Sequence, residues 1–394
     1  MRLLHTSDWH LGRNFHGASL LQEQEAALAR IVELARERDV DAVIIAGDLY
    51  DRAIPPAEAV KLFTDTLAQF TKNGATVVAI AGNHDSHVRV SVYDPLLSSF
   101  GVTIRGDVGR AHEPVLVTPK QGGSPVAIYP LPYLEPTVDG PGLLSPPEGG
   151  AIATATRLRH EEVTRLALDR IRRDLEGRPN HRSVLVAHTF AAGGETSESE
   201  RELTVGNVDR VSVETFSGFD YVALGHLHGS QELDGPRVAY SGTPLPYSFS
   251  EQHHTKSVRI VDLDGDGIAT VEKVPLNVGR LLRTLEGDLE QLCSDPQFES
   301  AVDARVRVLL TDEVLPLNAM ARLRGRFPHV AELRHRPPDV LRSTSSERNQ
   351  QVREASSPFQ LASSFFSDQQ GREATEAEAG LLREALEAVG KEET

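Results

Sequence analysis

The sequence predicts an α/β layered fold, and two observations carry that prediction. Short apolar runs rich in Val and Ile alternate with amphipathic helical stretches over about the first hundred residues. Five such runs also end in a candidate metal ligand: Leu3-Leu4 leads to Asp8, Ala42 to Ala46 leads to Asp48, and Thr76 to Ala81 leads to Asn83. Val184 to Ala187 leads to His188, and Tyr221 to Gly225 leads to His226. Runs of this length, bounded by glycine and polar residues, read as buried strands, and their alternation with helices implies α/β layers. Ligands at five C-terminal strand ends converge on one crevice, where open α/β sheets bind ligands.

The elements follow in order. Leu21, Leu28, Ile31, Val32 and Leu34 recur at helical spacing between Leu20 and Arg38. Pro55-Pro56 opens a second helix through Phe63, Leu67 and Phe70, since proline is tolerated in a first turn. Glu113 to Tyr133 reads as a β pair, Glu135 to Gly150 as a Pro/Gly-rich loop, and Thr154 to Leu175 as a charged helix. Gly193 to Glu202 is a polar loop placed to be mobile near the crevice mouth. Val258 to Val274 is a strand pair across Asp264-Gly265-Asp266-Gly267. That turn looks like the start of a calcium loop, but Lys273 stands where a bidentate glutamate is needed, so a hairpin is expected.

A smaller unit covers 276–342. Strands are expected at Leu281–Leu285, Val306–Leu310 and Val330–His335, with helices at Leu289–Phe298 and Leu317–Phe327. Its second half is arginine-rich. Arg322, Arg324 and Arg326 read either as a solvated helix face or as a DNA-backbone-contacting one. A polar linker follows at 343–357. The segment 358–394 carries Phe359, Leu361, Phe365, Phe366, Leu382, Leu386 and Val389. These residues either fold back on the protein or dock a partner helix.

The 394-residue chain has a formal charge of −16, which is unhelpful for gripping a polyanion unaided. A lone cysteine, Cys293, excludes an internal disulfide framework and fits a reducing, cytoplasmic setting. The N-terminus has the features of a strand rather than a signal peptide. No run approaches the ~20 apolar residues of a membrane span.

Asp8 and His10 are two residues apart, as are His226 and His228, a spacing that puts both side chains on one side of an extended segment. With Asp48, Asn83 and His188 they make seven candidate ligands, too many for one tetrahedral site. They suit two adjacent divalent ions bridged by Asp48. Such a pair, with two aspartates, retains a charge of about +2 and can clamp the attacking and leaving oxygens of a phosphate displacement. Mixed imidazole and carboxylate ligands favour Mn, Fe or Zn over Mg or Ca. His84 follows Asn83 and is placed to stabilise developing charge or protonate a leaving oxygen. Asp51 is the candidate to orient it, or else a helix N-cap before Pro55-Pro56.

Asp8-x-His10, Gly47-Asp48-x-x-Asp51-Arg52, Gly82-Asn83-His84-Asp85, His188 and Gly225-His226-x-His228 resemble the calcineurin-like metallophosphoesterase superfamily. Leu4 to Gly12 and Ala239 to Glu251 narrow the resemblance to the SbcD family of bacterial SbcCD nuclease subunits. The resemblance implies a two-sheet sandwich flanked by helices over 1–275, a small α+β capping domain over 276–342 and a helical tail. It implies that Asp8, His10, Asp48 and His228 hold one Mn, that Asp48, Asn83, His188 and His226 hold the other, and that His84 is catalytic. In the phosphatase branch an aspartate at the Asp51 position pairs with that histidine, while some DNA nucleases carry histidine there. The implied reaction is phosphodiester hydrolysis in DNA, by 3′→5′ double-strand exonuclease and hairpin or blocked-end endonuclease action, in end processing and repair. The implied partner is an SbcC-like SMC-type ATPase docked through 358–390, with a homodimer inside a heterotetramer. The chain has no Gly-x-x-x-x-Gly-Lys-Ser/Thr loop of its own for ATP. The competing reading is a small-molecule phosphodiesterase or phosphatase with the same metal centre.

Overall fold

The computed structural model describes residues 1–144, 158–200, 210–265, 267–337, 359–360, 362–363, 366 and 374–392. Contacts divide the chain into two units, Met1–Thr284 with Ser300–Arg307, and Leu285–Glu299 with Val308–Thr394.

The first unit is a two-sheet sandwich with helices on its outer faces. One six-stranded sheet contains β1 (Arg2–Thr6), β2 (Ala42–Ile45), β3 (Thr76–Ile80) and β4 (Val102–Arg105), paired in parallel in that order. The second contains β5 (Val115–Val117), β6 (Val126–Leu131), β7 (Arg182–His188), β8 (Tyr221–Gly225), β9 (Gln231–Asp234) and β10 (Val238–Tyr240), in the order β9-β10-β8-β7-β6-β5. The hairpin β11 (Ser257–Asp264) and β12 (Gly267–Pro275) completes the first sheet by pairing antiparallel to β1. Among the described residues, the Asp264–Gly267 segment is therefore a hairpin turn; Asp266 itself lies outside them.

Alternation along each strand explains the continuous apolar runs. Leu3, Ala42, Ile44, Val78 and Ile80 face Ile128, Val184, Val186, Tyr221 and Ala223 between the sheets. Their sequence neighbours Leu4, Val43, Ile45, Val77 and Ala79 pack instead beneath α1 (Leu21–Glu37) and α2 (Ala57–Lys72). Leu185, Val222 and Leu224 do the same beneath α3 (Pro136–Leu144) and α4 (His160–Glu176). A strand covered on both faces has no polar side to present, so it reads as an unbroken hydrophobic run.

Helix α3 corrects the expectation of a loop from Glu135 to Gly150 over its described part; residues 145–150 lie outside the described residues. Its first turn is fixed by Asp139, whose carboxylate accepts from the Glu135 amide at 2.7 Å. Gly140 and Leu143 are buried, and a methyl at Gly140 would press within 3.0 Å of Leu158. Packing against α4 thus overrides the poor helix propensity of Gly and Pro. The described part of α4 begins at His160; residues 154–157 of the expected helix lie outside the described residues.

A smaller sheet has the order β13 (Leu282–Gly287), β14 (Arg305–Leu310), β15 (Val330–His335), with α5 (Leu289–Ser294) and α6 (Ala319–Arg326) between these strands in sequence. The 343–357 linker lies outside the described residues, as do Leu361 and Phe365. The described tail contains α7 (Glu376–Glu392), in which Leu382 and Leu386 are half-buried and Arg383 stacks 4.5 Å over the Phe359 ring. Among the described residues no helix is long and apolar enough to cross a membrane.

Candidate metal centre

The loops that follow β1 and β2 run side by side and continue the parallel pairing beyond the strands. Asp8 N–H donates to the Gly47 carbonyl at 3.0 Å, His10 N–H to Asp48 at 3.0 Å and Leu11 N–H to Leu49 at 3.1 Å. The extended geometry expected for Asp8-x-His10 is not what brings these side chains together. Asp8 and His10 have φ of 53° and 44°, Asp48 has 48° and His226 has 111°. Asp and His tolerate such positions better than most residues. The carboxylates then tie the loops to one another. Asp8 accepts from the His226 amide at 3.0 Å and from the Ser7 hydroxyl at 2.5 Å, while Asp48 accepts from the His84 amide at 2.9 Å.

Around this frame the seven expected ligands face one small volume. His10 Nε2 lies 3.2 Å from His228 Nε2 and 3.5 Å from Asp48 Oδ2. His188 Nε2 lies 2.9 Å from Asn83 Oδ1 and 3.5 Å from Asp48 Oδ2, and His226 Nδ1 lies 3.2 Å from Asn83 Oδ1. Asp8, His10 and His228 form one triple of converging ligand atoms, Asp8, Asp48 and His188 a second, and His10, Asp48 and His84 a third. Asp8, His10 and Asp48 each belong to two triples. Electron-pair donors crowd here with few protons to share: the Asn83 Oδ1, the Asp48 carboxylate and four imidazoles meet within hydrogen-bond distance or little more. A divalent cation satisfies such a donor set, and imidazole with carboxylate suits a first-row transition metal.

The surrounding charges agree with this geometry. Burial pushes Asp8 up to about 6, with Asp48 adding to the shift. Burial would also raise Asp48, but His188 and His10 beside it hold it well below the usual carboxylate range. Burial works against a charge on His188, yet Asp48 pulls it up to about 9. His10 and His226, buried among other imidazoles, are pushed down, His226 to about 3. His188 Nδ1 donates to the Ala46 carbonyl at 2.9 Å, leaving Nε2 toward the centre.

His84 sits at the rim, its ring 4.7 Å from that of His10. Its Nδ1 donates to the backbone carbonyl of Asp51 at 2.9 Å, so the main chain orients it. The Asp51 carboxylate goes elsewhere, accepting from Arg13 Nη1 at 3.2 Å and lying 3.9 Å from His10 Nδ1. Nor is Asp51 the cap of α2: that position is Pro56, without a side-chain bond.

Several supporting residues lie outside the expected site set. Asp85, buried behind the ligand loops, accepts from the amides of Gly82 at 2.9 Å and of Leu49 and Tyr50 at 3.0 Å. The polar loop expected to be mobile is instead docked through its described residues up to Glu200; its last residues lie outside them. Ser199 Oγ meets His228 Nδ1 at 2.5 Å, and Glu200 accepts from the His228 amide at 2.7 Å. Of the three arginines expected to face DNA, two are engaged within the second unit. Arg322 binds Glu290 at 2.5 Å, and Arg326 donates to the carbonyls of Leu292 and Asp295 at 3.1 and 2.7 Å. Arg324 is exposed.

Comparison with known proteins gives the family. A model of the calcineurin-like phosphoesterases matches residues 1–230, and one described as the Type 5 capsule protein repressor C-terminal domain (SbcD_C) matches residues 278–370. The SbcD subunit of the SbcCD nuclease of Bacillus subtilis is 32% identical over 350 residues, covering 85% of both chains. Its counterpart of the same name in Escherichia coli K12 is 30% identical over 297 residues, covering 74% of this chain and 72% of the other. That of Staphylococcus epidermidis is 29% identical over 344 residues, covering 84% and 85%. The fold implies divalent metals, and the donor set described here fits them. The chain belongs to the calcineurin-like phosphoesterases and, within them, to the SbcD family of SbcCD nuclease subunits.

Proposed function

We propose that this chain is a metal-dependent DNA nuclease, a phosphodiester hydrolase whose centre is built from Asp8, His10, Asp48, Asn83, His188, His226 and His228. The observation that carries the reading is the convergence of these groups from five strand ends in two sheets, with ring nitrogens and carboxylate oxygens as close as 3.2–3.5 Å. Two cations, Mn by preference, would supply positive charge and an activated water. The chain's own groups do the rest. Asp8 and Asp48 are aimed by the amides of His226 and His84. With Nδ1 fixed on the Asp51 carbonyl, His84 keeps Nε2 to hold a proton for the leaving oxygen.

The fuller reading is a 3′→5′ exonuclease and hairpin endonuclease, cytoplasmic, acting in DNA repair with an SMC-like ATPase. Residues 358–390 are the proposed docking segment, and Leu381 on α7 is exposed in a manner that suits a partner helix. Ile54, Val88, Val92, Tyr93, Leu96 and Phe100 form an exposed apolar set in the first unit that supports a homodimer. Arg324 is the remaining candidate for backbone contact.

The test is duplex and hairpin DNA with Mn²⁺ and the full chain. Cleavage is expected, and His84→Ala is expected to slow it by about 10²–10⁴-fold while metal uptake and thermal unfolding stay unchanged. Full activity in that variant removes His84 from the chemistry. Turnover of a cyclic nucleotide with none of DNA overturns the nuclease reading.

A further inference from the structure

We infer that Ser199 and Glu251 form a positioning relay that sets the tautomer of His228 and turns its Nε2 toward the metal centre. The relay deepens the function proposed above, since it rests on His228 being a ligand. It also gives a role to the Ala239–Glu251 stretch, which the cluster of ligands leaves unexplained.

The polarity of the hydrogen bonds can be worked out from groups whose donor roles are fixed. Glu251 is buried, at 1% exposure. Its Oε1 accepts from the Tyr247 backbone amide at 3.3 Å, and its Oε2 from the ammonium of Lys256. A backbone N–H and an ammonium only donate. With the Lys256 ammonium on Oε2 the ionised carboxylate is favoured, so both oxygens accept and Glu251 has no proton to offer. Ser199 Oγ meets Oε1 and also lies 3.0 Å from Ser197 Oγ, and because the carboxylate at its closest contact can only accept, its one hydrogen is directed away from His228. The Ser199 oxygen then has only lone pairs for His228 Nδ1, 2.5 Å away, so Nδ1 carries the ring hydrogen. A neutral imidazole has one N–H, which leaves Nε2 with its lone pair. That nitrogen is the one 3.2 Å from His10 Nε2.

The same groups hold the His228 backbone. Its amide donates to Glu200, and its carbonyl accepts from Lys256 Nζ at 3.0 Å and from the Thr243 amide at 3.2 Å. The loop that delivers Ser199 is itself pinned, through Glu198 N–H on Ser250 Oγ at 3.0 Å and Arg13 on the Ser199 carbonyl at 3.2 Å. His188 and His84 fix their ring orientation more simply, by giving Nδ1–H to backbone carbonyls. His228 depends on a side-chain relay that a single substitution can cut. Groups beyond the first ligands commonly fix ring orientation and raise ligand basicity in this way.

The test uses the full chain with ¹⁵N-labelled histidine and Mn²⁺ alone as the probe. In metal-free native protein the His228 nitrogen shifts should report Nδ1–H. Ser199→Ala should move His228 away from that tautomer and weaken one of two Mn²⁺ equivalents by about 10–100-fold, leaving the other unchanged. Ser199→Thr keeps the hydroxyl and should restore both readouts. Glu251→Gln should act in the same direction, because its amide NH₂ must oppose either Tyr247 N–H or Lys256. Since that change also strips buried Lys256 of its counter-charge, the Ser199 pair decides where the glutamine variant unfolds. The relay is overturned if Ser199→Ala keeps the native tautomer, if it binds both equivalents as tightly as the native chain, or if Ser199→Thr fails to rescue. A native chain that takes up no Mn²⁺ refutes the metal-centre reading instead, and the nitrogen shifts still decide the relay.

Discussion

Replacing Asp85 by asparagine tests whether the ligand loops are held from behind. Asp85 is buried, and its two oxygens accept three main-chain hydrogens. Oδ2 serves Leu49 and Gly82, and Oδ1 serves Tyr50. The amide oxygen of asparagine can keep the pair on Oδ2. Its NH₂ then faces the Tyr50 N–H, donor against donor, in a site closed to water. Losing a hydrogen bond to a charged group costs about 1.5–3 kcal/mol, and stranding a buried N–H costs about 1–3 kcal/mol. Against this, the carboxylate itself is poorly solvated: burial, with Asp48 nearby, pushes it up to about 6, so a neutral side chain recovers part of the loss. A net destabilisation of about 2–3 kcal/mol follows. For a large domain this lowers Tm by about 4–12 °C at about 2–4 °C per kcal/mol. Calorimetry of the EDTA-treated protein reads the effect directly. Mn²⁺ stoichiometry then shows whether Asp48 and Asn83, on the two loops that Asp85 joins, still act together. A variant that unfolds within about 1 °C of native refutes the view that Asp85 clasps the loops.

Three further expectations concern the same site. Asp51→Asn leaves the backbone carbonyl that orients His84, so its cleavage rate should fall far less than that of His84→Ala; equal losses in the two would mean that the carboxylate takes part. Gly225→Ala would bring a methyl to 1.7 Å from the Ala46 carbonyl oxygen, the same oxygen that accepts from His188; overpacking against backbone costs about 1–3 kcal/mol or more, and normal folding with full Mn²⁺ uptake would contradict the geometry. In the metal-free chain the folded pKa of His188 is about 9, above its ordinary 6.5, so the stability it contributes is complete below about 6.5 and drains away as pH rises through about 9. A cation taking Nε2 must expel that proton. Chelated protein should lose thermal stability across this window, and Mn²⁺ titrations at pH 7.5 in buffers of different ionisation enthalpy should report proton release; none would refute the assignment.

What the sequence made legible was what local pattern encodes. β-branched runs such as Ala42–Ile45 and Val184–Ala187 announce strands because both faces are covered, and the polar residue at the end of each run marks where the strand leaves the core. What stayed hidden depends on partners far away in the chain. Pro141 and Gly140 argue against a helix that α4 nevertheless stabilises by packing. Asp51 is close to His84 in space, but only the fold decides that the carbonyl faces His84 and the carboxylate faces Arg13. Arg322 and Arg326 look basic in a linear reading, yet Glu290 and the carbonyls around Leu292 claim them. The polar loop at Ser197–Glu200 looks solvated until Glu251, some fifty residues later, is set beneath it.

The backbone strain in the centre and the glycines around it have one physical explanation. Left-handed conformations at non-glycine residues cost about 1–3 kcal/mol each and persist only where the surroundings over-determine them. Asp8, His10, Asp48 and His226 all carry such strain, and each makes or receives a bond that another strained position depends on. Asp8 holds the His226 amide, Asp48 holds the His84 amide, and the Asp48 carbonyl holds the His10 amide. No single loop could keep its conformation alone; the set closes only when the two sheets are packed. That closure demands near contact between backbones. A methyl at Gly82 would fall 2.2 Å from Asp48 Oδ1, and one at Gly225 would fall on the Ala46 carbonyl. The glycine before Asn83 and the glycine before His226 are therefore steric requirements of loop meeting loop. It follows that the contacts that join the sheets also fix how these side chains converge. Mutations that loosen the sandwich at these crossings should then lower metal affinity and stability together, whereas those at the rim, such as His84, should separate activity from both.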